Sequence, residues 1–418
     1  MIDRRKIKYR IKYILGGTNL SHHYFIFLLV HTLFLIFTRI PSVFINTLLM
    51  NQTGDVNATL FYNGAIFAAC ALTMLFSAQI MHWTECRVTA AIGIIGYNLL
   101  YLCYILFQGY IGELYWLFGL FNGIADGFYY ISYGRMILAY TEIENRDSGM
   151  GIISIFSAVV NLSVPLLSGS IISVIGGTMG YVAIFVLAFA VAFSTLLAVF
   201  HLPEEKKKEK KVSVRYLQFI KLFKRKPQIF WGLLAETIKG IREGTFLFIL
   251  NIILYQLIQE EFFVGFNSFL TGAASICCFW FMSHFIRPGN RRKYMIKAVI
   301  VLLAANFLCM YAVNPVVIML FAVVNSFFAG MLEISCYTTF FDVSDSAEET
   351  QEYAPELLAF HEVFVVSGRC VGLLIFGIIN TISGATVQAQ IFSLFIITFI
   401  QFATVYCCRK ASRMAGMK

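Results

Sequence analysis

The sequence predicts an all-α membrane protein with twelve transmembrane helices arranged as two six-helix bundles. Three observations lead to this prediction: an apolar composition, twelve apolar runs of helix length, and a repeat that relates the two halves. Of the 418 residues, 59% are hydrophobic and only 13% are charged, and the mean hydropathy is +0.76. Soluble domains carry about 25% charged residues. We therefore expect lipid to surround most of the chain, with no substantial soluble domain.

Twelve apolar runs are separated by polar or Gly/Pro-containing stretches. A helix needs about 20 residues to cross a bilayer, and the runs, numbered here as spans 1 to 12, cover residues 22–49, 57–81, 88–107, 113–137, 148–173, 179–201, 227–257, 263–285, 294–312, 315–341, 356–380 and 385–408. The first run is too long for the core of a signal peptide, so we interpret it as a retained span. The predicted domains are a basic tail at 1–21, an N-terminal bundle at 22–201, a basic linker at 202–226, a C-terminal bundle at 227–408 and a tail at 409–418.

The positions of Lys and Arg predict that both termini are cytoplasmic. Every second connection holds basic residues, from the first tail to Lys418, whereas the short loops expected outside hold none. Cytoplasmic loops of membrane proteins carry this excess of basic residues. The acidic connection at 342–356 departs from the pattern, but acidic residues weigh little in the rule. The net charge of +9 therefore indicates topology rather than a nucleic-acid partner, and the short loops favour a bacterial plasma membrane.

The linker divides the spans six and six. Its lysine-rich part predicts a solvated tether. The pattern YLQFIKLF at residues 216–223 predicts a short helix at the membrane surface, with its basic side toward anionic lipid.

An internal repeat appears when the chain is shifted by 203 residues. The shift matches Arg39 with Arg242, Asn122 with Asn325, Gly127 with Gly330, Ile131 with Ile334, Ser132 with Ser335, and Gly169 with Gly372. Arg and Asn are rare inside spans, so their matches carry most of the weight. Because each half holds an even number of spans, the halves are related by a parallel repeat.

This organisation resembles the major facilitator superfamily. That family carries a turn motif of the form G-x-x-x-D-R-x-G-R-R, which the second half echoes in residues 287–293 and the first half only in Glu85 and Arg87. The stretches TEIENRDSG (141–149) and HEVFVVSGR (361–369) further resemble a bacterial branch of transporters labelled YqgE-like. The resemblance implies a monomer in which spans 1, 4, 7 and 10 line a central cavity, while spans 3, 6, 9 and 12 face lipid.

Ionisable residues inside the spans are functional candidates, because a charge at the bilayer centre costs about 2.5–3.5 kcal/mol on insertion scales. Spans 3, 6 and 12 contain none. Span 9 has only Lys297 near its inner end. The candidates on the other spans are Arg39 on span 1, Asp126 on span 4, Glu236, Lys239, Arg242 and Glu243 on span 7, Glu333 on span 10, and Glu362 and Arg369 on span 11. This distribution fits the cavity-lining spans that the resemblance implies.

Span 7 places Glu236, Lys239 and Glu243 on one helical face, where Lys239 is positioned to bridge both carboxylates. Arg242 points to the side, toward Asp126, Glu333 or an anionic substrate. Two interpretations stay open for these charges. One is a structural network of ion pairs, and the other is a binding site with a proton-coupled carboxylate.

Arg39 and Arg242 are the first candidates for substrate or coupling contacts. Arg39 lies two residues before Pro41, and Arg242 lies two residues before Gly244. Matched helix breaks in corresponding spans indicate a transporter site. His31, two turns from Arg39, is interpreted as a packed histidine in preference to a proton shuttle.

Four further residues are candidates for gating or ion pairing. Glu362 and Arg369, seven residues apart on span 11, are predicted to form a salt bridge at its inner end. Arg291 and Arg292 belong to the basic turn after span 8.

The sequence therefore predicts a secondary active transporter that moves a small molecule by alternating access, with proton coupling through Asp126, Glu236 or Glu333. Pro165 to Gly169 partly resemble the Pro-x-x-Gly-Gly element of proton-coupled antiporters, which favours export. Alternatives are a membrane-embedded enzyme, for which no catalytic motif is found, and a receptor or scaffold, which would carry a ligand-binding domain. The ten cysteines show no metal-site spacing, and we expect neither a metal nor a cofactor.

Overall fold

The computed structural model describes residues 20–80, 84–140, 146–203, 216–286, 289–347 and 353–417. Most of the basic tail, the lysine-rich part of the linker, residues 141–145 and Arg287 lie outside the described residues. Sequence predictions that concern those positions therefore remain predictions.

Each predicted span corresponds to one helix or to two consecutive helices, which confirms the twelve-span prediction within the described residues. In the first half the helices are His22–Ser42 and Phe44–Thr53 for span 1, followed by Val56–Ile80, Cys86–Leu106, Tyr115–Tyr140, Arg146–Ile175 and Gly177–Val199. In the second half they are Pro227–Phe246 and Ile249–Ile258 for span 7, followed by Glu261–Phe285, Arg291–Tyr311, Pro315–Asp345, Ala354–Ile382 and Val387–Met414.

Eleven of these spans are long and apolar enough to cross a membrane by length and composition. Span 4 is the exception among the described helices, although its 26 residues exceed the length that a bilayer requires. It carries the charged residues Asp126 and Arg135 near and beyond its middle. The least apolar span is thus one that the resemblance places beside the cavity.

Local signals in the sequence set several helix ends. Asn314 and Thr386 cap spans 10 and 12, because their side chains accept hydrogen bonds from backbone N–H groups of the first turn. Pro227 begins span 7, where its missing N–H costs nothing. Gly54 ends span 1 with a φ of 65°, in the left-handed region that favours glycine.

Spans 1 and 7 are both interrupted near corresponding positions. Span 1 breaks at Val43, just after Pro41, whose ring removes a backbone donor from the helix. Span 7 breaks at residues 247–248 without any proline. The matched breaks agree with the repeat, and they place Arg39 and Arg242 in the last turns before them.

Spans 1–6 pack together as one bundle and spans 7–12 as the other, and the bundles meet chiefly where span 5 crosses span 8 and span 2 crosses span 11. Within the second bundle, spans 7 and 11 approach very closely. A Cβ added to Gly368 or Gly372 would lie 1.9 Å from the backbone oxygen of Thr237 or Ile241, respectively. Gly368 and Gly372 thus form a GxxxG face on span 11 that lets the two helices pack closely.

Hydrogen bonds join the bundles on the side away from the two termini, called here the far side. Tyr181 of span 6 donates to Glu261 of span 8 at 2.5 Å, and Tyr255 of span 7 donates to Asn51 of span 1 at 2.7 Å. A cavity of about 740 Å³ lies beside these bonds. The far ends of the bundles are thus held together in this conformation.

The linker contains the short helix that its pattern predicts, at Tyr216–Arg225. Phe219 and Leu222 are buried against the first turns of span 7 and the neighbouring ends of spans 10 and 11. Leu217 and the basic residues Lys221 and Lys224 are exposed on other sides of the helix.

Candidate functional site

The first bundle contributes Arg39 and Asp126 near the middle of their spans. Asp126 is half-buried and accepts a hydrogen bond of 2.5 Å from the Tyr97 hydroxyl, and the cations that act on it electrostatically are Arg39 and Arg369. Among the described residues, the Arg39 guanidinium forms neither a hydrogen bond nor an ion pair. Arg39 is therefore a membrane-embedded cation that is available to a ligand.

His31 is packed among aromatic rings, as the sequence analysis predicted. It is 4% exposed, its Nδ1 atom lies 3.1 Å from the Tyr129 hydroxyl, and its ring centroid lies 4.2 Å from that of Tyr133. Phe34 stacks on Tyr129 next to it. These contacts form a rigid aromatic core behind Arg39 and Asp126.

Span 7 carries the charge network that its spacing predicts. The Lys239 Nζ atom lies 2.6 Å from Oε2 of Glu236 and 3.0 Å from Oε1 of Glu243, so both predicted ion pairs form. Glu236 is fully buried and Lys239 is 6% exposed. Two carboxylates thus share one ammonium group inside the second bundle, which offsets the cost of burying them.

Arg242 does not pair with Asp126 or Glu333. Its guanidinium donates to the Asn325 side chain and stands 4.2 Å over the Phe246 ring. The predicted pairing with Asp126 or Glu333 was wrong, because an amide on span 10 and an adjacent ring contact the guanidinium instead, while its Nε atom has no hydrogen-bond partner among the described residues. The alternative of an anionic substrate stays a prediction. Arg242 and Asn325 are the two residues that the repeat matches with Arg39 and Asn122.

His361 is a central residue of the site that sequence reasoning did not assign. Its Nε2 atom lies 3.3 Å from Oε2 of Glu236, and its Nδ1 atom lies 3.3 Å from Oε1 of Glu362. The side chain of Glu362 is 40% exposed, whereas that of Glu236 is fully buried. A histidine directly before a carboxylate within an apolar span was the signal that could have identified it.

The predicted salt bridge between Glu362 and Arg369 does not form. The Arg369 Nη2 atom lies instead 3.2 Å from Oε2 of Glu243, and its guanidinium stands 5.4 Å over the ring of Phe67 on span 2. Two helical turns separate Glu362 and Arg369 by about 10.5 Å along the axis. The neighbouring span therefore offers Arg369 a nearer carboxylate.

These side chains surround a cavity of about 220 Å³ near the middle of the second bundle. Its lining residues are Lys239, Glu243, Glu333, Ile334, Tyr337, His361, Glu362, Val365 and Arg369. Glu333 forms no ion pair with any described residue, and its side chain is exposed to the cavity. The arrangement can therefore receive a small polar or charged molecule and exchange protons with it.

Arg291 and Arg292 lie far from this cavity, at the termini side of the bundle. Arg291 forms a 2.5 Å salt bridge with Asp342 at the end of span 10, and Arg292 is exposed. The corresponding echo in the first half pairs Arg87 with Glu85 at 2.7 Å. Both motif remnants therefore hold local ion pairs.

The family assignment follows from a comparison of the whole chain. The model of the Major Facilitator Superfamily matches residues 27–354. The chain belongs to the Major Facilitator Superfamily. It is therefore a membrane transporter and not an enzyme, and the resemblance stated from its motifs is confirmed.

The chain is similar in sequence to two bacterial proteins. The chain is 22% identical over 370 residues to the uncharacterized protein YqgE of Bacillus subtilis (strain 168). The aligned region covers 88% of this chain and 85% of that protein. It is 23% identical over 146 residues to an uncharacterized protein in the sodM 3′ region of Geobacillus stearothermophilus, covering 35% and 68% of the two chains.

Solved structures share the fold. The nucleoside transporter NupG has a TM-score of 0.71 at 13% identity and covers 94% of this chain and 99% of its own. A bacterial homologue of the iron transporter ferroportin in its inward-facing state has a TM-score of 0.71 at 12% identity. The match covers 94% of this chain and 100% of that one. A bacterial homologue of the lysosomal transporter Spinster, inward-facing and unoccupied, has a TM-score of 0.69 at 13% identity. The match covers 94% of this chain and 97% of that one.

Proposed function

We propose that this protein is a secondary active transporter that moves a small polar or charged molecule by alternating access and couples the movement to protons. The observation that carries the proposal is the 220 Å³ cavity lined by Lys239, Glu243, Glu333, Glu362 and Arg369. Charged groups inside a membrane protein face substrate and proton pathways. A cavity of this size suits a metabolite rather than a lipid.

Alternating access is supported by the way the bundles meet. The bonds between Tyr181 and Glu261 and between Tyr255 and Asn51 lie on the far side, as does the contact of Leu60 with Gly377. Each of these pairs joins one bundle to the other, so a rocking motion that opens the far side must break all three. We infer that this conformation opens toward the termini side.

The substrate would lie between Arg39 and Asp126 of one bundle and the charge network of the other. Arg39 supplies a cation without a described partner, and Glu333 supplies a carboxylate without one. Arg242, which donates a hydrogen bond to Asn325, would hold span 7 against span 10 close to the break in span 7. We propose Asp126, Glu236 and Glu333 as the carboxylates through which protons act.

We further infer a location in the bacterial plasma membrane, with both termini in the cytoplasm and the protein working as a monomer. The alternation of basic loops supports this orientation. Export is the direction we propose, because Pro165 to Gly169 partly resemble the Pro-x-x-Gly-Gly element of proton-coupled antiporters.

The experiment that tests the proposal begins with a deletion strain, in which altered metabolite levels and drug sensitivities identify the substrate. The purified protein is then reconstituted in liposomes with an imposed pH gradient. We expect the gradient to drive net movement of that substrate, and a protonophore to abolish the movement. Equal rates with and without the gradient would contradict proton coupling, and no movement at all would contradict transport of that substrate.

A further inference from the structure

The geometry around His361 favours a protonated ring, because a carboxylate oxygen faces each of its two nitrogens. A neutral imidazole donates from one nitrogen only, and its other nitrogen repels a carboxylate. Both ring nitrogens lie 3.3 Å from carboxylate oxygens, Nε2 from Glu236 and Nδ1 from Glu362. The Nδ1 contact has hydrogen-bond geometry, whereas Nε2 and the Glu236 carboxylate are buried within ion-pair distance and have no hydrogen-bond partner among the described residues. A second proton on the ring would make both contacts attractive.

The charges around the cavity balance with that extra proton. The ion-pair contacts link three carboxylates, those of Glu236, Glu243 and Glu362, to two permanent cations, those of Lys239 and Arg369, besides His361. The other described side chains facing His361 are the rings of Tyr337 and Phe340 on span 10. A proton shared at His361 therefore makes this part of the bundle neutral, as burial in a membrane favours.

The ion pairs that start at His361 form a continuous chain across two spans. Glu236 is shared by His361 and Lys239, whose nitrogen atoms lie 3.3 and 2.6 Å away. Glu243 is shared by Lys239 and Arg369, at 3.0 and 3.2 Å. Every carboxylate in the chain thus has two competing cations, and strengthening one pair weakens the next.

We propose that His361 binds a proton in addition to the carboxylates named above, and that Glu362 leads this proton to it from the cavity. Protonation of His361 is then relayed through Glu236, Lys239 and Glu243 to Arg369. The inference rests on the proposed proton coupling and names the residues that perform it. A proton from water in the cavity passes Glu362 and binds the ring nitrogen of His361. No other bond forms or breaks.

Protonation at His361 strengthens its bond to Glu236, which shifts Lys239 toward Glu243 and loosens the hold of Glu243 on Arg369. Arg369 stands over Phe67 of the other bundle and acts electrostatically on Asp126 there. Its release therefore changes a contact between the bundles. Loss of the proton reverses the sequence, which couples proton binding to the rocking motion.

The test measures how far the far ends of the two bundles separate, and it needs no substrate. Leu60 is 6% exposed and lies beside Gly377 of the other bundle on the far side, so a Leu60→Cys variant reports separation of the far ends. The rate at which a membrane-impermeant maleimide, added from the far side, labels this cysteine is measured at about pH 5.5 and about pH 8. The labelling rate of the parent protein, which carries only the native cysteines, is measured in the same way and subtracted.

We expect the labelling rate to change about fivefold or more between the two pH values. His361→Asn should remove the change, and His361→Lys should hold the rate near its low-pH level at both values. His31→Asn, which alters a buried histidine without a carboxylate neighbour, should keep the response. Gel filtration of each variant verifies that it is folded.

Two outcomes overturn the inference: a folded His361→Asn protein with the full pH response, or a parent protein with none. Gradient-driven transport that is unchanged in His361→Asn would also overturn it, while the proposed function would stand. A pH response that needs His361 in a protein that transports nothing would leave the relay in place and remove the proposed function instead.

Discussion

The guanidinium of Arg369 lies 3.2 Å from the carboxylate of Glu243, and this pair joins span 11 to span 7. The same guanidinium stands 5.4 Å over the ring of Phe67, which belongs to the other bundle. A single side chain thus links the buried charge network to the surface that must move during transport.

Replacing Arg369 by lysine should slow transport about tenfold or more while the protein stays folded. Lysine keeps the charge but loses the planar fork and the stacking on an aromatic ring. Transport of the identified substrate in liposomes measures the effect. Arg292→Lys, which changes an exposed arginine, serves as the control and should leave the rate unaltered. Equal rates in both variants would show that the Phe67 contact has no role.

Replacing Lys239 by methionine should lower the free energy of unfolding by about 3 kcal/mol. The variant leaves the buried carboxylate of Glu236 without its nearest cation, and breaking a buried ion pair costs about this much. Unfolding of the purified protein in denaturing detergent measures the change. The double variant with Glu236→Gln should recover much of the loss, and a single variant as stable as the parent would contradict the structural importance of the pair.

Replacing Gly372 by alanine should destabilise the second bundle by about 1–3 kcal/mol, because overpacking forces the helices apart. A Cβ at this position would lie 1.9 Å from the Ile241 backbone oxygen. Gly134 is the matched control, since a Cβ there meets nothing within 4 Å. Gly134→Ala should be neutral or slightly stabilising in the same unfolding assay. Similar effects of the two changes would argue against the close contact of spans 7 and 11.

Replacing Arg39 by glutamine should reduce transport about 10- to 100-fold, the range expected for loss of a charged hydrogen bond to substrate. The unfolding free energy should stay within about 0.5 kcal/mol of the parent. Arg39 forms no ion pair with any described residue, so folding does not depend on its charge. Thr38→Ala, which removes a hydroxyl bonded only to its own helix, is the control. Full transport by Arg39→Gln would remove Arg39 from the site.

Cysteines placed on the two sides of the protein should report the orientation. Ser383 lies in the exposed turn between spans 11 and 12, and Met414 ends span 12 on the termini side. In intact cells an impermeant thiol reagent should label Ser383→Cys, and it should label Met414→Cys only after lysis. The reverse pattern would place both termini outside and contradict the inferred orientation.

The sequence by itself determined the twelve spans and their two halves. Lipid offers no hydrogen-bond partners, so a spanning segment satisfies its backbone within helices, and the lengths of these largely apolar helices can be read along the chain. Spacing within one helix also predicted the pairs of Lys239 with Glu236 and Glu243, because residues three and four apart share a helical face.

The tertiary structure decided the partners that come from different spans. It paired Arg369 with Glu243 instead of Glu362, gave Arg242 the amide of Asn325, and placed His361 between two carboxylates. The contacts of Arg369 and His361 depend on how closely span 11 approaches span 7, which the backbone contacts at Gly368 and Gly372 set. Periodicity along a chain fixes the face of each helix, but only packing fixes the distance and rotation between two faces.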